Sequence, residues 1–111
     1  DREVVEAMPR SEGDEKEIVF FQLGRLISYH DLEKEYQKLG LKPAGPYSLV
    51  KVNQDDPAFA DSHPNTTHWK DESSRRCYIA FSRSGDDERE VIVSRSGDVW
   101  NGCWWFAGVR K

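Results

Sequence analysis

The apolar positions of this chain change period midway along its 111 residues. Ile18-Val19-Phe20-Phe21-Gln22-Leu23 is a short apolar run rich in β-formers. It predicts a strand buried on at least one face, ending near Gly24-Arg25. Ser28 then suits an N-cap, with Asp31 three residues on in place of the usual Glu of a capping box. A helix over about Tyr29 to Leu39 follows. Leu32, Tyr36 and Leu39 recur at i, i+4 and i+7 and make one apolar face, while Glu33, Lys34, Glu35 and Lys38 fall elsewhere. Gly40 supplies the stop. Pro43, Gly45 and Pro46 predict a turn, and Pro46 suits the first position of a second short helix. That helix turns Leu49, Val50 and Val52 inward and ends at Asn53. Asp55-Asp56-Pro57 begins a further turn, docked by Ala58, Phe59 and Ala60. Asp61 to Trp69 has no period and predicts an irregular stretch.

The second half alternates. Arg76-Cys77-Tyr78-Ile79-Ala80-Phe81 places Cys77, Ile79 and Phe81 on one face of a strand. Gly85-Asp86-Asp87 predicts a hairpin turn. Glu90 to Ser94 predicts a second strand with Val91 and Val93 inward, Gly97-Asp98 another turn, and Trp104 to Val109 the last strand. The order is one strand, two helices, then short antiparallel strands. That is an α+β pattern without alternating βαβ units. Residues 1–17 are acidic and short of apolar side chains, and predict a tail or linker ahead of a single domain over 18–111, although Val4, Val5 and Met8 suit a short docked helix.

Composition sharpens this picture in three ways. The apolar fraction is 37% but four Trp are present, so a few large rings carry much of the core. Trp69, Trp100 and one or both of Trp104 and Trp105 are expected inside. Acids outnumber bases 20 to 16, for a net charge of −4, which argues against nucleic acid as a partner while leaving room for a local basic patch. Two cysteines, Cys77 and Cys103, are too few for a disulfide framework or a four-cysteine zinc site, and their spacing leaves open whether they pair. No apolar run approaches the ~20 residues of a membrane span, and no membrane insertion is expected. The chain opens without Met, as a segment trimmed from a longer protein would.

Candidate chemistry is sparse. His63 and His68, with Asp61 nearby, form the one metal-like cluster. Three ligands fall short of a structural zinc site, so loop hydrogen bonding is the simpler role and no metal or other cofactor is expected. Asn65-Thr66-Thr67 is formally a glycosylation sequon. Asp55-Asp56 and Asp86-Asp87 lack the spacing of a calcium loop and read as turn formers. No phosphate-binding glycine loop and no nucleophile elbow occurs in the sequence. Ile92 stands out: it lies between Glu90 and Ser94 on the outward face of its strand, where an apolar side chain makes sense if that face touches something.

The C-terminal third repeats itself. Ser82-Arg83-Ser84-Gly85-Asp86 recurs as Ser94-Arg95-Ser96-Gly97-Asp98, and the chain closes on Trp100-Asn101-Gly102-Cys103-Trp104-Trp105-Phe106. Small polar residues sit inside a frame of large apolar ones, the pattern of a rigid scaffold with an adaptable surface. Trp104-Trp105-Phe106-Ala107-Gly108-Val109-Arg110-Lys111 resembles the closing strand of a C-type-lectin-fold domain. More narrowly, the chain resembles the variable proteins of diversity-generating retroelements. Gly108-Val109-Arg110 fits that family's Gly-aromatic/aliphatic-Arg ending. Asn65-x-Thr67-His68-Trp69-Lys70 followed by Cys77 to Phe81 is similar to the framework ahead of its diversified segment. The resemblance covers about residues 18–111.

It implies a C-type-lectin-like domain whose first strand, near Val19 to Leu23, pairs antiparallel with the last, near Trp105 to Val109. It also implies a ligand-binding display domain, without catalysis, whose C-terminal surface is varied by adenine-directed mutagenesis. Asn codons mutated at their adenines reach Ser, Asp, Ile and Cys but never Trp, Lys, Gln, Met or Glu. Ser82, Ser84, Asp86, Ile92, Ser94, Ser96, Asp98, Asn101 and Cys103 all fall in the reachable set. Glu90 shares their face and is either fixed or encoded from a different template codon. Together these residues are the expected ligand-binding surface, and its partner is an unspecified protein or surface ligand. The family's sugar-binding lectins use calcium motifs of the Glu-Pro-Asn and Trp-Asn-Asp kind. Here Trp100-Asn101-Gly102 lacks the acid and His63-Pro64-Asn65 is the nearest Pro motif, so calcium-dependent sugar binding is not expected. The competing reading is a lectin-like or small enzymatic domain with a fixed site near His63, His68 and Asp61.

Overall fold

The computed structural model of the protein describes Met8 and residues 17–83, 88–95 and 99–111. The predicted turns at 85–87 and 97–98, and all of the expected tail except Met8 and Glu17, lie outside the described residues. Elements follow in the order β1 (Val19–Gln22), β2 (Ile27–Ser28), α1 (Tyr29–Lys38), β3 (Leu41–Pro43), α2 (Pro46–Asp55), α3 (Phe59–Ser62), β4 (Asn65–Lys70), β5 (Arg76–Arg83), β6 (Arg89–Arg95), β7 (Val99–Trp100) and β8 (Trp105–Arg110). The class is α+β, with three helices among the described residues, one more than the two expected, on a mostly antiparallel sheet.

The main sheet runs β1-β8-β4-β5-β6, with β3 also paired to β8. β1 and β8 pair antiparallel, Val19 opposite Gly108 and Gln22 opposite Trp105, as expected for the first and last strands. β4 meets β8 in parallel over just Asn65–Trp105 and Thr66–Phe106. β2 and β7 make a separate two-stranded ribbon.

Each sheet face carries its own core. One holds Ala44, Leu49, Ala60, Ile79, Phe81, Ala107 and Val109 beneath α2 and α3, with Met8 buried among them. The other holds Ile27, Tyr29, Leu32, Tyr36, Ala80, Trp100 and Phe106 beneath α1 and the β2–β7 ribbon. α1 begins as its letters predict: Ser28 Oγ accepts the Asp31 N–H at 3.2 Å. It stops at Gly40, whose φ of +70° suits a residue without a Cβ. Tyr36 donates its hydroxyl to the Ala107 carbonyl at 2.8 Å, tying the helix to β8, and burial holds that phenol well above its ordinary pKa. Leu39 is a correction. It is 53% exposed, and Leu41 of β3 takes the core place expected of it, packed with Leu32 and Tyr36.

The largest departure is β4. The stretch expected to be irregular is in its second half a central strand, with Asn65, Thr66, Thr67 and His68 all buried. The side chains of Asn65, Thr66 and Thr67 have specific partners. Asn65 and Asn53 exchange side-chain amide hydrogen bonds at 2.8 and 3.1 Å, and Asn65 also donates to the His63 carbonyl. Thr66 donates to the Ile79 carbonyl and Thr67 to that of Ala44. Asn53, expected to end the second helix, instead lies within α2 and caps nothing. Pro43 was expected in a turn and closes β3. The rings are less enclosed than expected. Trp100 is buried, but Trp69, Trp104 and Trp105 are half-buried, since Phe106 and the two tyrosines of α1 occupy the deepest positions.

Candidate ligand-binding surface

Strand β6 is the outer strand of the sheet, and its register fixes which side chains share a face. Ser82 lies opposite Glu90, Ala80 opposite Ile92 and Tyr78 opposite Ser94. Directly opposed residues point to the same side. Ser82, Glu90, Ile92 and Ser94 therefore stand on one face, with Glu90 and Ile92 exposed and the two serines half-buried. Ile92 is 44% exposed. Val93 faces the other way and packs on the core beneath α2 and α3. Val91, expected inward, is 59% exposed: it lies opposite Phe81 and faces an open hollow that it shares with Val50, Asn53 and Gln54 of α2.

Tyr78 continues the face toward the final loop. Its ring stands edge-on to Trp100 at 5.2 Å, and Trp100 stands edge-on to Trp104 at 5.2 Å and to Tyr29 at 6.0 Å. This cluster holds both ends of the 101–103 turn. Gly102 is required there: a Cβ would come within 2.7 Å of the Arg25 nitrogen and the Gly24 carbonyl carbon. Gln22 Nε2 donates to the Cys103 carbonyl at 3.0 Å, and Asn101 Oδ1 accepts the Cys103 N–H at 3.0 Å. The turn is pinned against β1 and its exit, while the Asn101 and Cys103 side chains are exposed. Cys103 Sγ donates to Asn101 Oδ1 at 2.7 Å. Both cysteines are free, Cys77 buried and Cys103 exposed, and burial raises the Cys77 thiol above its ordinary pKa. Ser84, Asp86, Ser96 and Asp98 lie outside the described residues.

One end of β6 is clamped. Arg89 makes two hydrogen bonds to the Asp61 carboxylate, at 3.1 and 2.9 Å, and Arg83 pairs with the same group at 3.3 Å. The Arg89 guanidinium holds the Asp61 carboxyl below its ordinary range.

The expected cluster of His63, His68 and Asp61 is not brought together. His63 accompanies α3: it is stacked on Phe59, tilted against Trp105 and hydrogen-bonded to Ser62. Asp61 is engaged by the two arginines. His68 is buried beneath α1, edge-on to Tyr29 and Tyr36, and burial pushes its imidazole down to about 4. His63 follows α3, whereas His68 belongs to β4, a strand the sequence did not predict, which carries it beneath α1. Among the described residues, no group of three or more His, Cys, Asp or Glu side chains is placed to hold a metal ion, and no helix is long and apolar enough to cross a membrane. Tyr78 and Trp104, both packed against Trp100, border this surface and were missed in the sequence.

Comparison with protein-family models, with curated proteins and with solved structures finds no match for this chain.

Proposed function

We propose that the protein is a non-catalytic binding module of C-type-lectin-like architecture that displays an adaptable surface on the β5–β6 edge and the 101–103 turn. We further infer that this surface is diversified in the manner of retroelement variable proteins. The observation that carries the reading is the shared face of Ser82, Glu90, Ile92 and Ser94, continued through Tyr78 and Trp100 to exposed Asn101 and Cys103. Exchangeable residues share one side, and Trp100 and Trp104, which no adenine substitution of an Asn codon reaches, flank the turn that carries Asn101 and Cys103. Pairing of β1 with β8, and an aromatic cluster in place of regular structure around β7, support the lectin-like reading. The partner is a protein or another surface ligand met by side-chain contact, with Ile92 as an apolar anchor.

The test is a library randomised at Ser82, Ser84, Asp86, Ile92, Ser94, Ser96, Asp98, Asn101 and Cys103, scored for soluble folded protein. Most members are expected to fold, because surface changes away from caps and special turns typically cost within ~0.5 kcal/mol. A library that mostly unfolds assigns these positions to the scaffold and ends the proposal.

A further inference from the structure

The sheet forks at β8. On the side of β8 away from β1, β4 pairs along the first part of the strand, at Trp105 and Phe106, and β3 pairs along the last, from Gly108 to Arg110. Between these prongs, at the C-terminal end of β4, lies a cleft of about 460 Å³. His68 and Trp69 both line it, although consecutive strand residues point to opposite faces. This is possible because the cleft cuts through the sheet instead of lying on one side of it.

Its chemistry is one-sided. Lys42 of β3, Lys70 of β4 and Lys111 line it, and among the described residues none of the three makes an ion pair. The acid in the lining is Glu33, and its carboxylate is held by Arg76 at 3.1 Å. Just beyond Lys70, Arg75, Arg76 and Arg95 border a second, more open hollow. Those three arginines are engaged, Arg75 and Arg95 by Asp71 and Arg76 by Glu33, so the unpaired positive charge of the cleft is that of the three lysines. Two of the lining residues carry a buried ring nitrogen without a hydrogen-bond partner, Nε2 of His68 and Nε1 of Trp69. The hydroxyl of Tyr36, also in the lining, is already used by Ala107. An indole N–H only donates and a neutral imidazole can donate, so an acceptor is the group that would satisfy both. Buried polar atoms without partners are uncommon and costly.

We propose that the cleft binds a small polyanion carrying phosphate or several carboxylates, held by Lys42, Lys70 and Lys111 and hydrogen-bonded by the ring nitrogens of His68 and Trp69. Lysine binds such groups as a point charge, without needing the fixed fork geometry of arginine. The site uses none of the residues of the display surface, so it stands or falls independently of it.

The experiment is an NMR titration of the isotope-labelled full chain with pyrophosphate, and separately with citrate, at ionic strength matched by sodium chloride. Saturable shifts of the Trp69 indole N–H and the His68 ring are expected with at least one probe. Saturation by pyrophosphate alone identifies phosphate as the recognised group, and by citrate alone, carboxylate. The double reversal Lys42→Glu/Lys70→Glu should weaken binding by about tenfold or more, the size expected for losing charge-assisted contacts. Lys51→Glu on α2, which lies outside the lining, should leave it unchanged. If the double reversal does not fold, Lys42→Gln and Lys70→Gln singly give the same comparison. Shifts that are absent, that sodium chloride reproduces, or that the Lys42 and Lys70 variants leave untouched overturn the proposal.

Discussion

β4 and β6 belong to one sheet and are separated by one strand. β4 lies inside, between β8 and β5, and buries Asn65, Thr66, Thr67 and His68. β6 lies outside and leaves Val91 and Ile92 exposed. Burial of the first succeeds because nearly every polar group meets a specific partner: an amide pair to α2, a hydroxyl to β5, another to the carbonyl of Ala44. Such partners cancel the desolvation cost and fix strand position more sharply than apolar contact does. Exposure of the second leaves apolar surface that contributes nothing to this domain's core. Arg89, Glu90 and Arg95 surround it with charges that blunt non-specific strand pairing. The inner strand is fixed by specific partners, and the outer one leaves its apolar side chains to solvent.

The contrast can be broken most sharply at Asn65. Asn65→Leu would remove both amide bonds to Asn53, leaving it only the Leu49 carbonyl, and the donor to the His63 carbonyl, and about 4 kcal/mol of stability should be lost by chemical denaturation, despite the gain in apolar area. A variant as stable as the parent would show that the amide pair is dispensable.

His68 tests the same strand through pH. Its imidazole is surrounded by Tyr29 and Tyr36 from α1, Glu33 from the same helix, Arg76 from β5 and Lys70 from β4, and it titrates near 4 against an ordinary 6.5. The unfolded chain therefore binds a proton at this residue before the folded one does. Stability should be full above about pH 6.5, fall as pH drops through the window, and have lost about 3 kcal/mol from this group below pH 4. Urea midpoints measured across that range should show the slope, and a His68→Gln variant should lack it.

Thr67→Val is a smaller perturbation, nearly isosteric. It leaves the Ala44 carbonyl without its hydroxyl partner, and a loss of about 1–2 kcal/mol is expected in the same assay. At the outer strand the expected effect nearly vanishes. Ile92→Ser should shift the unfolding free energy by no more than ~0.5 kcal/mol. A loss comparable to that at Thr67 would place Ile92 in the scaffold and erase the distinction between the two strands.

The parts legible in the letters were those governed by local rules. The Ser28 cap, the Leu32 and Tyr36 face, Gly40 and Pro46 each act within a turn or two of chain, and the structure places them as read. The Cys77, Ile79 and Phe81 face was legible because alternation survives burial on one side. β4 was illegible because its polarity is compensated by groups far away in sequence: Asn53, Ile79 and Ala44. Val91 was misread because alternation gives the face of a strand but not the extent of the helices covering that face. Of the display surface, the pairing of Ser82, Glu90, Ile92 and Ser94 on one side followed from period two. The anchoring of Asn101 and Cys103 by Gly24, Arg25 and Gln22 depends on the approach of β1, which only the fold reveals. The forked cleft was invisible for a similar reason, since Lys42, Lys70 and Lys111 have no motif in common.

The pairing of β1 with β8 also has a mechanical meaning. Val19 lies opposite Gly108, so the start of the first strand and the end of the last are side by side at one end of the pair. β1 is one outer strand of the sheet and β6 is the other, four strand spacings or about 19 Å apart. A tether following β8 leaves the sheet three strand spacings from β6, whereas the chain ahead of β1 is already anchored through Met8 in the core beneath α2. Tension between Val19 and Arg110 would load the β1–β8 hydrogen bonds one after another, peeling the pair from its open end.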